Sequence, residues 1–198
     1  MADGSWYDAD IERVIISEQQ IRDKIAELAK QVSADHADAA DGVLLVCVLK
    51  GAVMFMADFA RELGRLGPAS EMEFMAVSSY GQGTTSSGVV RILKDLDRDI
   101  AGRRVIVVED IVDSGLTLSW LLKYLESRGA ASIEVVALFR KPDAIKVPVE
   151  VRYVGFDIPS EFVVGYGLDF AERYREMPYV ACSSPRSTRA ADADYALS

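Results

Sequence analysis

Three apolar runs, VLLVCVL at 43–49, RVIVV at 104–108 and VVALF at 135–139, most constrain what this chain can fold into. None alternates polar with apolar residues, as a strand with one wet face does. A continuous run of this length suits a strand covered on both faces. The stretches between them carry helical spacing. The segment 17–31 opens on a capping box of Ser17 and Gln20 and repeats Ile21, Ile25, Leu28 and Val32. GAVMFMADFARELGRLG closes near Gly64 to Gly67 with Pro68 beyond, and LTLSWLLKYLESRG closes on Gly129. Buried strands alternating with helices predict an α/β fold: a mainly parallel, twisted sheet with helices on both faces. EMEFMAVSSY, VVRILKDL and EVRYVGFDI add strands, and GQGTTSSG reads as a loop between two of them.

The chain has 198 residues, enough for one domain, and half of them are hydrophobic. Nothing marks a linker or a repeat. A net charge of −9 argues against non-specific binding to nucleic acid or to anionic membranes. No apolar run approaches a membrane span, and the start MADGSWYDAD lacks a secretory pattern, so a cytoplasmic protein is expected. The two cysteines have no metal-binding or disulfide spacing; Cys47 is expected to be a reduced core residue. His36, the one histidine, lies in the polar, Ala-rich stretch SADHADAADG and is expected in solvent, which removes histidine-dependent chemistry. The polar segment 183–198 is expected to be a disordered tail.

Ligands of such sheets bind beyond the carboxyl ends of the strands. Polar clusters stand there: Lys50-Gly51, Glu109 to Thr117, and Arg140-Lys141. In EDIVDSGLT a strand feeds a tight turn at Gly115 and a helix starts near Leu116. The unpaired amides of that turn and helix start form an anion site, to which Ser114 and Thr117 add hydroxyls. Glu109, Asp110 and Asp113 beside it would repel a phosphate. Either Mg²⁺ between them or sugar hydroxyls donating to them resolves the conflict, and a ligand carrying ribose and phosphate meets both. The plainer reading has Asp113 and Ser114 simply capping the helix. No GxxxxGKS/T motif occurs, and GQGTTS lacks both the third glycine and the following helix of a dinucleotide fingerprint.

The stretch VVEDIVDSGLTL closely resembles the phosphoribosyl-pyrophosphate (PRPP) motif of purine phosphoribosyltransferases. LLVCVLKGAVMFMADFAREL resembles the family's pyrophosphate-loop region, and SSYGQGTTSSGVVRILKDL its flexible catalytic loop. YVGFDIPSEFVVGYGLDFAERYREMPYV is similar to the base-binding segment of the hypoxanthine-guanine branch, bacterial type. The resemblance runs from about Tyr7 to Val180 in the family's order. It implies one phosphoribosyltransferase domain over 1–182, with a small base-binding hood built from the N-terminal segment and about 153–180. It implies Mg²⁺-dependent purine salvage: transfer of the phosphoribosyl group of PRPP to N9 of hypoxanthine or guanine, giving IMP or GMP and pyrophosphate.

The resemblance also implies residue roles. Glu109 and Asp110 hold the ribose hydroxyls near a Mg²⁺ shell, and Asp113 accepts the proton at purine N7. Ser114, Gly115, Leu116 and Thr117 cradle the 5′-phosphate; some relatives carry Lys or Arg where Leu116 stands, so backbone amides matter more here. Lys50 and Gly51, after a cis Leu49–Lys50 bond, grip pyrophosphate, with Ser79, Tyr80 and Arg175. Lys141 donates to the purine O6, which disfavours adenine. Phe162 stacks on the base, Val163 and Asp169 read its edge by their backbone groups, and the Asp169 side chain approaches a second Mg²⁺. The small-molecule partners are PRPP and a 6-oxopurine, with no nucleic acid or membrane and a homodimer or homotetramer as the assembly. Two alternatives stay open: a nucleotide-sensing, RNA-binding regulator on the same fold, and a xanthine-preferring relative.

Overall fold

The apolar runs become the central strands of the computed structural model, which describes residues 6–7, 10–80 and 89–183. In chain order the elements are β1 (Ile11–Ile16), α1 (Glu18–Asp35), β2 (Val43–Leu49), α2 (Val53–Leu66), β3 (Ser70–Tyr80), β4 (Val89–Lys94), β5 (Arg104–Val112), α3 (Leu116–Ser127), β6 (Ser132–Arg140), β7 (Tyr153–Asp157), β8 (Val163–Val164) and β9 (Val180–Ser183). A 3-10 turn, Pro142–Ala144, follows β6. Among the described residues no helix is long and apolar enough to cross a membrane.

The chain divides into two compact units. The larger is Lys24–Ser160. It holds a six-stranded sheet in the order β4-β3-β2-β5-β6-β7, parallel throughout except for the antiparallel β3–β4 pair. This is the expected α/β class. Leu44, Val46, Val105, Val107, Val135 and Ala137 point to one face and pack under Leu118, Leu121 and Leu125 of α3. Burying each such side chain contributes roughly 1.5–3 kcal/mol. The residues between them, Leu45, Cys47, Ile106 and Val108, are equally buried and face the other way. Helices α1 and α2 cover that second face and are tied together by Ser33 Oγ, which donates to the Leu66 carbonyl at 3.2 Å. Both faces are dry, which is why these runs do not alternate.

The capping box forms as expected. Gln20 Oε1 accepts the Ser17 amide at 2.9 Å, and the Gln20 amide reaches Ser17 Oγ at 3.3 Å. The helix then runs past its expected end at 31 to Asp35. This overturns the solvated reading of His36, which is buried, its Nε2 2.9 Å from Glu134 Oε2. The physical reason is periodic: His36 follows Val32 by four residues and prolongs the buried face of Ile25, Leu28, Ala29 and Val32. Glu134 also accepts the Tyr153 hydroxyl at 3.0 Å and pairs with Arg152. Replacing His36 by alanine removes both a buried partner of this carboxylate and its packing. The expected loss is about 2 kcal/mol, read as a lower urea midpoint with an unchanged m-value.

The smaller unit comprises the described residues of Met1–Asp23 and Glu161–Ser198. Its sheet is antiparallel, in the order β1-β9-β8. Two expected boundaries change. Residues 153–157 belong to β7 at the edge of the large sheet, because they pair with Val136–Arg140 of β6, so the hood segment does not begin at about 153. Ser183 pairs with Ile11 and closes β9, so it is not the first residue of a tail; the remainder, 184–198, lies outside the described residues. Cys47 and Cys182 are both buried and free, and burial raises the Cys47 thiol pKa to about 12.

Candidate active site

The sheet order places a topological switch between β2 and β5: the chain leaves β2 toward β3 on one side, whereas β5 lies on the other. The carboxyl ends of β2 and β5 are therefore neighbours, and both carry residues singled out in the sequence. β2 ends at Leu49, and the Leu49–Lys50 peptide is cis. β5 runs on to Val112, beyond the apolar run at 104–108, because Ile111 and Val112 still pair with Phe139 and Arg140 of β6.

Gly51 and Asp110 meet at this switch. A Cβ built on Gly51 would overlap Asp110 Oδ2 and stand 2.7 Å from Asp110 Cγ, so a side chain at position 51 has to displace the Asp110 carboxylate or the turn itself. Asp110 Oδ1 accepts the Ile111 amide at 2.7 Å. Glu109 beside it is buried. Desolvation first, and the Asp110 charge second, push its carboxyl well above the usual carboxylate range. Two adjacent acids thus stand at the end of a dry strand, where hydroxyl donors or a cation would favour the charged form of Glu109. Among the described residues no three His, Cys, Asp or Glu side chains are grouped to hold a metal ion.

The turn between β5 and α3 is built from Asp113, Ser114 and Gly115. Gly115 has φ +78°, the left-handed region that favours glycine. It is also the helix N-cap, and no side chain caps it. The nearest approach is a long contact from the Leu116 amide to Ser114 Oγ at 3.4 Å. Capping is thus not what Asp113 and Ser114 do here, and the first turn of α3 carries no acid. A cavity of about 210 Å³ opens at this point, lined by Glu109, Asp113, Ser114, Gly115 and Thr117. Its apolar wall comes from Val48, Ile111, Val112 and Leu118. None of these four was expected at a site. Their only signal is their place at the same strand and helix ends.

Lys141 stands at the end of β6. Its amide donates to the Val112 carbonyl at 2.9 Å, and its ammonium, largely buried, lies 3.5 Å from Asp113 Oδ2. Its neighbour Arg140 is committed elsewhere, in a bidentate pair with Asp157 at 2.7 and 3.0 Å. Ser79 and Tyr80 close β3 against Val90 and Val89; the 81–88 loop expected to carry catalytic mobility lies outside the described residues.

The remaining candidates belong to the smaller unit. Phe162 is half exposed, with Phe170 edge-on at 5.5 Å, and Val163 is buried in β8. Asp169 and Arg175, assigned separate roles by the sequence, pair with each other at 2.9 Å. Arg175 Nη1 also donates to the Gly167 carbonyl at 2.7 Å, and the Glu172 amide donates to Asp169 Oδ2 at 2.9 Å. Tyr166, Ala171, Glu172 and Tyr174 all have positive φ, a concentration of uncommon backbone around this pair.

A family model described as "Phosphoribosyl transferase domain" matches residues 15–171. The hypoxanthine-guanine phosphoribosyltransferase of Mycobacterium tuberculosis is 55% identical over 184 residues, covering 91% of this chain and 90% of that protein. The protein of the same name from Bacillus subtilis is 47% identical over 176 residues, covering 89% and 95%. The crystal structure of a hypoxanthine phosphoribosyltransferase from Staphylococcus aureus superposes with a TM-score of 0.88 at 38% identity, covering 93% of this chain and 98% of that one.

Proposed function

The chain belongs to the phosphoribosyl transferase family, and on that premise we propose that it acts in purine salvage, transferring the phosphoribosyl group of PRPP to N9 of hypoxanthine or guanine. The observation that carries the reading is the 210 Å³ cavity at an uncapped helix start with Glu109 and Asp113 in its wall. Amides of the turn, with the Ser114 and Thr117 hydroxyls, bind the 5′-phosphate. Glu109 and Asp110 accept hydrogen bonds from the ribose diol, which offsets the cost of holding Glu109 in a dry wall.

Purine N9 attacks the ribose C1, the bond from C1 to pyrophosphate breaks, and Asp113 takes the proton from N7. The transition state has oxocarbenium character, as in glycoside cleavage, and the leaving group gathers negative charge. Lys50 and the Gly51 backbone, Ser79, Tyr80 and Arg175 hold that leaving group. Mg²⁺ suits the donor set, because it commonly takes one or two carboxylates and completes its shell with water and substrate oxygens. Glu109 and Asp110 would hold it, with Asp169 beside a second ion, and its chemistry is to neutralise the pyrophosphate charge. Lys141 can only donate, which favours an oxygen at purine C6 over the amino group of adenine. Phe162 stacks on the base, while Val163 and Asp169 read its edge through their backbone groups. The assembly is a cytoplasmic homodimer or homotetramer, following the prevalence of closed symmetry among soluble enzymes.

The test is an assay of the purified protein with PRPP, Mg²⁺ and each purine in turn. IMP and GMP are expected from hypoxanthine and guanine, with no AMP from adenine. Turnover of xanthine alone would move the protein to another base. No nucleotide from any 6-oxopurine, with salt-sensitive retention of RNA instead, would overturn the reading.

A further inference from the structure

We propose that the segment 146–149, outside the turn that binds the 5′-phosphate, is the positioning element that sets the direction of that turn's amides. The inference rests on the functional reading above. After β6 the chain makes its 3-10 turn at Pro142–Ala144 and comes back along the β5–α3 turn. There the amides of Lys146 and Val147 both donate to the Ser114 carbonyl oxygen, at 3.0 and 3.1 Å. Two donors on one carbonyl fix the plane of the Ser114–Gly115 peptide.

In a trans peptide the C=O and the following N–H point in opposite directions. Ser114 and Gly115 line the cavity, and Lys146 and Val147 do not. Pinning the Ser114 carbonyl toward 146–147 therefore turns the Gly115 N–H toward the cavity. The brace is also tight. A Cβ on Gly115 would overlap the Val147 carbonyl oxygen and touch Val149 Cγ2 at 3.4 Å. Val149 in turn packs on the core beneath α3.

The segment is continuous with Lys141, whose amide holds the Val112 carbonyl and whose ammonium faces Asp113. The phosphate turn is thus gripped from both sides by a single length of chain, which makes the base-facing lysine and the phosphate amides one rigid piece. An anion site made of backbone amides gains most from such a brace, because a misdirected amide cannot turn back to the ligand as a side chain can.

Lys146→Pro deletes one of the two donors, and Ile145 before it already has the extended backbone a following proline needs (φ −66°, ψ 119°). Titration calorimetry with GMP and with guanosine gives the dissociation constant of guanosine divided by that of GMP, a ratio that reports the 5′-phosphate alone. That ratio is expected to fall about tenfold in Lys146→Pro, with the melting temperature close to wild type. Lys146→Ala, which keeps the amide, is expected to retain the ratio. An unmoved ratio in folded Lys146→Pro overturns the proposal, as does an equal fall in Lys146→Ala, which would assign the effect to the ammonium. If Lys146→Pro does not fold, Val149→Ala carries the test: a fall of about threefold supports the brace, and an unchanged ratio overturns it. Wild-type protein that fails to bind GMP overturns the functional reading as well, whereas GMP binding with an unmoved ratio overturns the brace alone.

Discussion

Replacing Asp113 by asparagine is expected to lower kcat by about two to four orders of magnitude, the usual contribution of a positioned proton acceptor. The KM for PRPP should move by less than about threefold, since an interaction made mainly in the transition state shows in kcat. The geometry separates this loss from a folding defect. Asp113 sits in the turn after β5 with its side chain 56% exposed, so asparagine fits the same space at the cavity wall. What it gives up is the charge opposite Lys141 at 3.5 Å. A pair with one partner so open to water contributes at most about 1 kcal/mol. Steady-state kinetics beside thermal unfolding check both halves. A variant that loses the fold makes Asp113 structural, and one that keeps wild-type kcat removes it as the acceptor of the N7 proton.

The parts of the molecule legible in the sequence are those whose signal is local. VLLVCVL could be read as a doubly covered strand because each residue faces one dry side or the other, and β2 keeps those bounds. The capping box at Ser17 and Gln20 is readable because its two bonds join residues three apart. The turn at Gly115 and the helix start after it are local in the same way, but that neither Asp113 nor Ser114 caps the helix shows only in the structure. β1 escaped because its pairing with β9 is irregular between Ile11 and Arg13 and again between Val14 and Ile16, which breaks the two-residue period. β8 and β9, at two and four residues, are too short to carry a period at all. His36 had a usable signal, its spacing from Val32, hidden by the polar letters around it. The Asp169–Arg175 pair depends on a backbone path through several positive-φ residues that no propensity anticipates. The brace at 146–149 and the apolar wall of Val48 and Ile111 are tertiary contacts, invisible until β6 and its return segment lie beside β5.

Gly51→Ala is expected to lower kcat/KM for PRPP by about a hundredfold, the cost of misplacing a group that orients substrate by about 1 Å. Position 51 does not need glycine for its dihedral angles, since its φ lies outside the left-handed region. It needs glycine for space: the alanine methyl would overlap Asp110 Oδ2 and crowd Cγ at 2.7 Å. Either the carboxylate rotates away, breaking its bond to the Ile111 amide, or the turn after the cis Leu49–Lys50 peptide moves and takes the pyrophosphate-binding backbone with it. Both routes spoil the alignment of ribose and leaving group, and neither opens the core, so the melting temperature should stay close to wild type. A double-mutant cycle separates them. If the clash with Asp110 is the cause, Asp110→Ala should absorb it, and adding Gly51→Ala to that background should change kcat/KM by no more than about threefold. Full additivity of the two losses would place the effect in the turn rather than in the carboxylate. Wild-type kcat/KM in Gly51→Ala would end the claim that the switch between β2 and β5 is where the sugar and its leaving group are held.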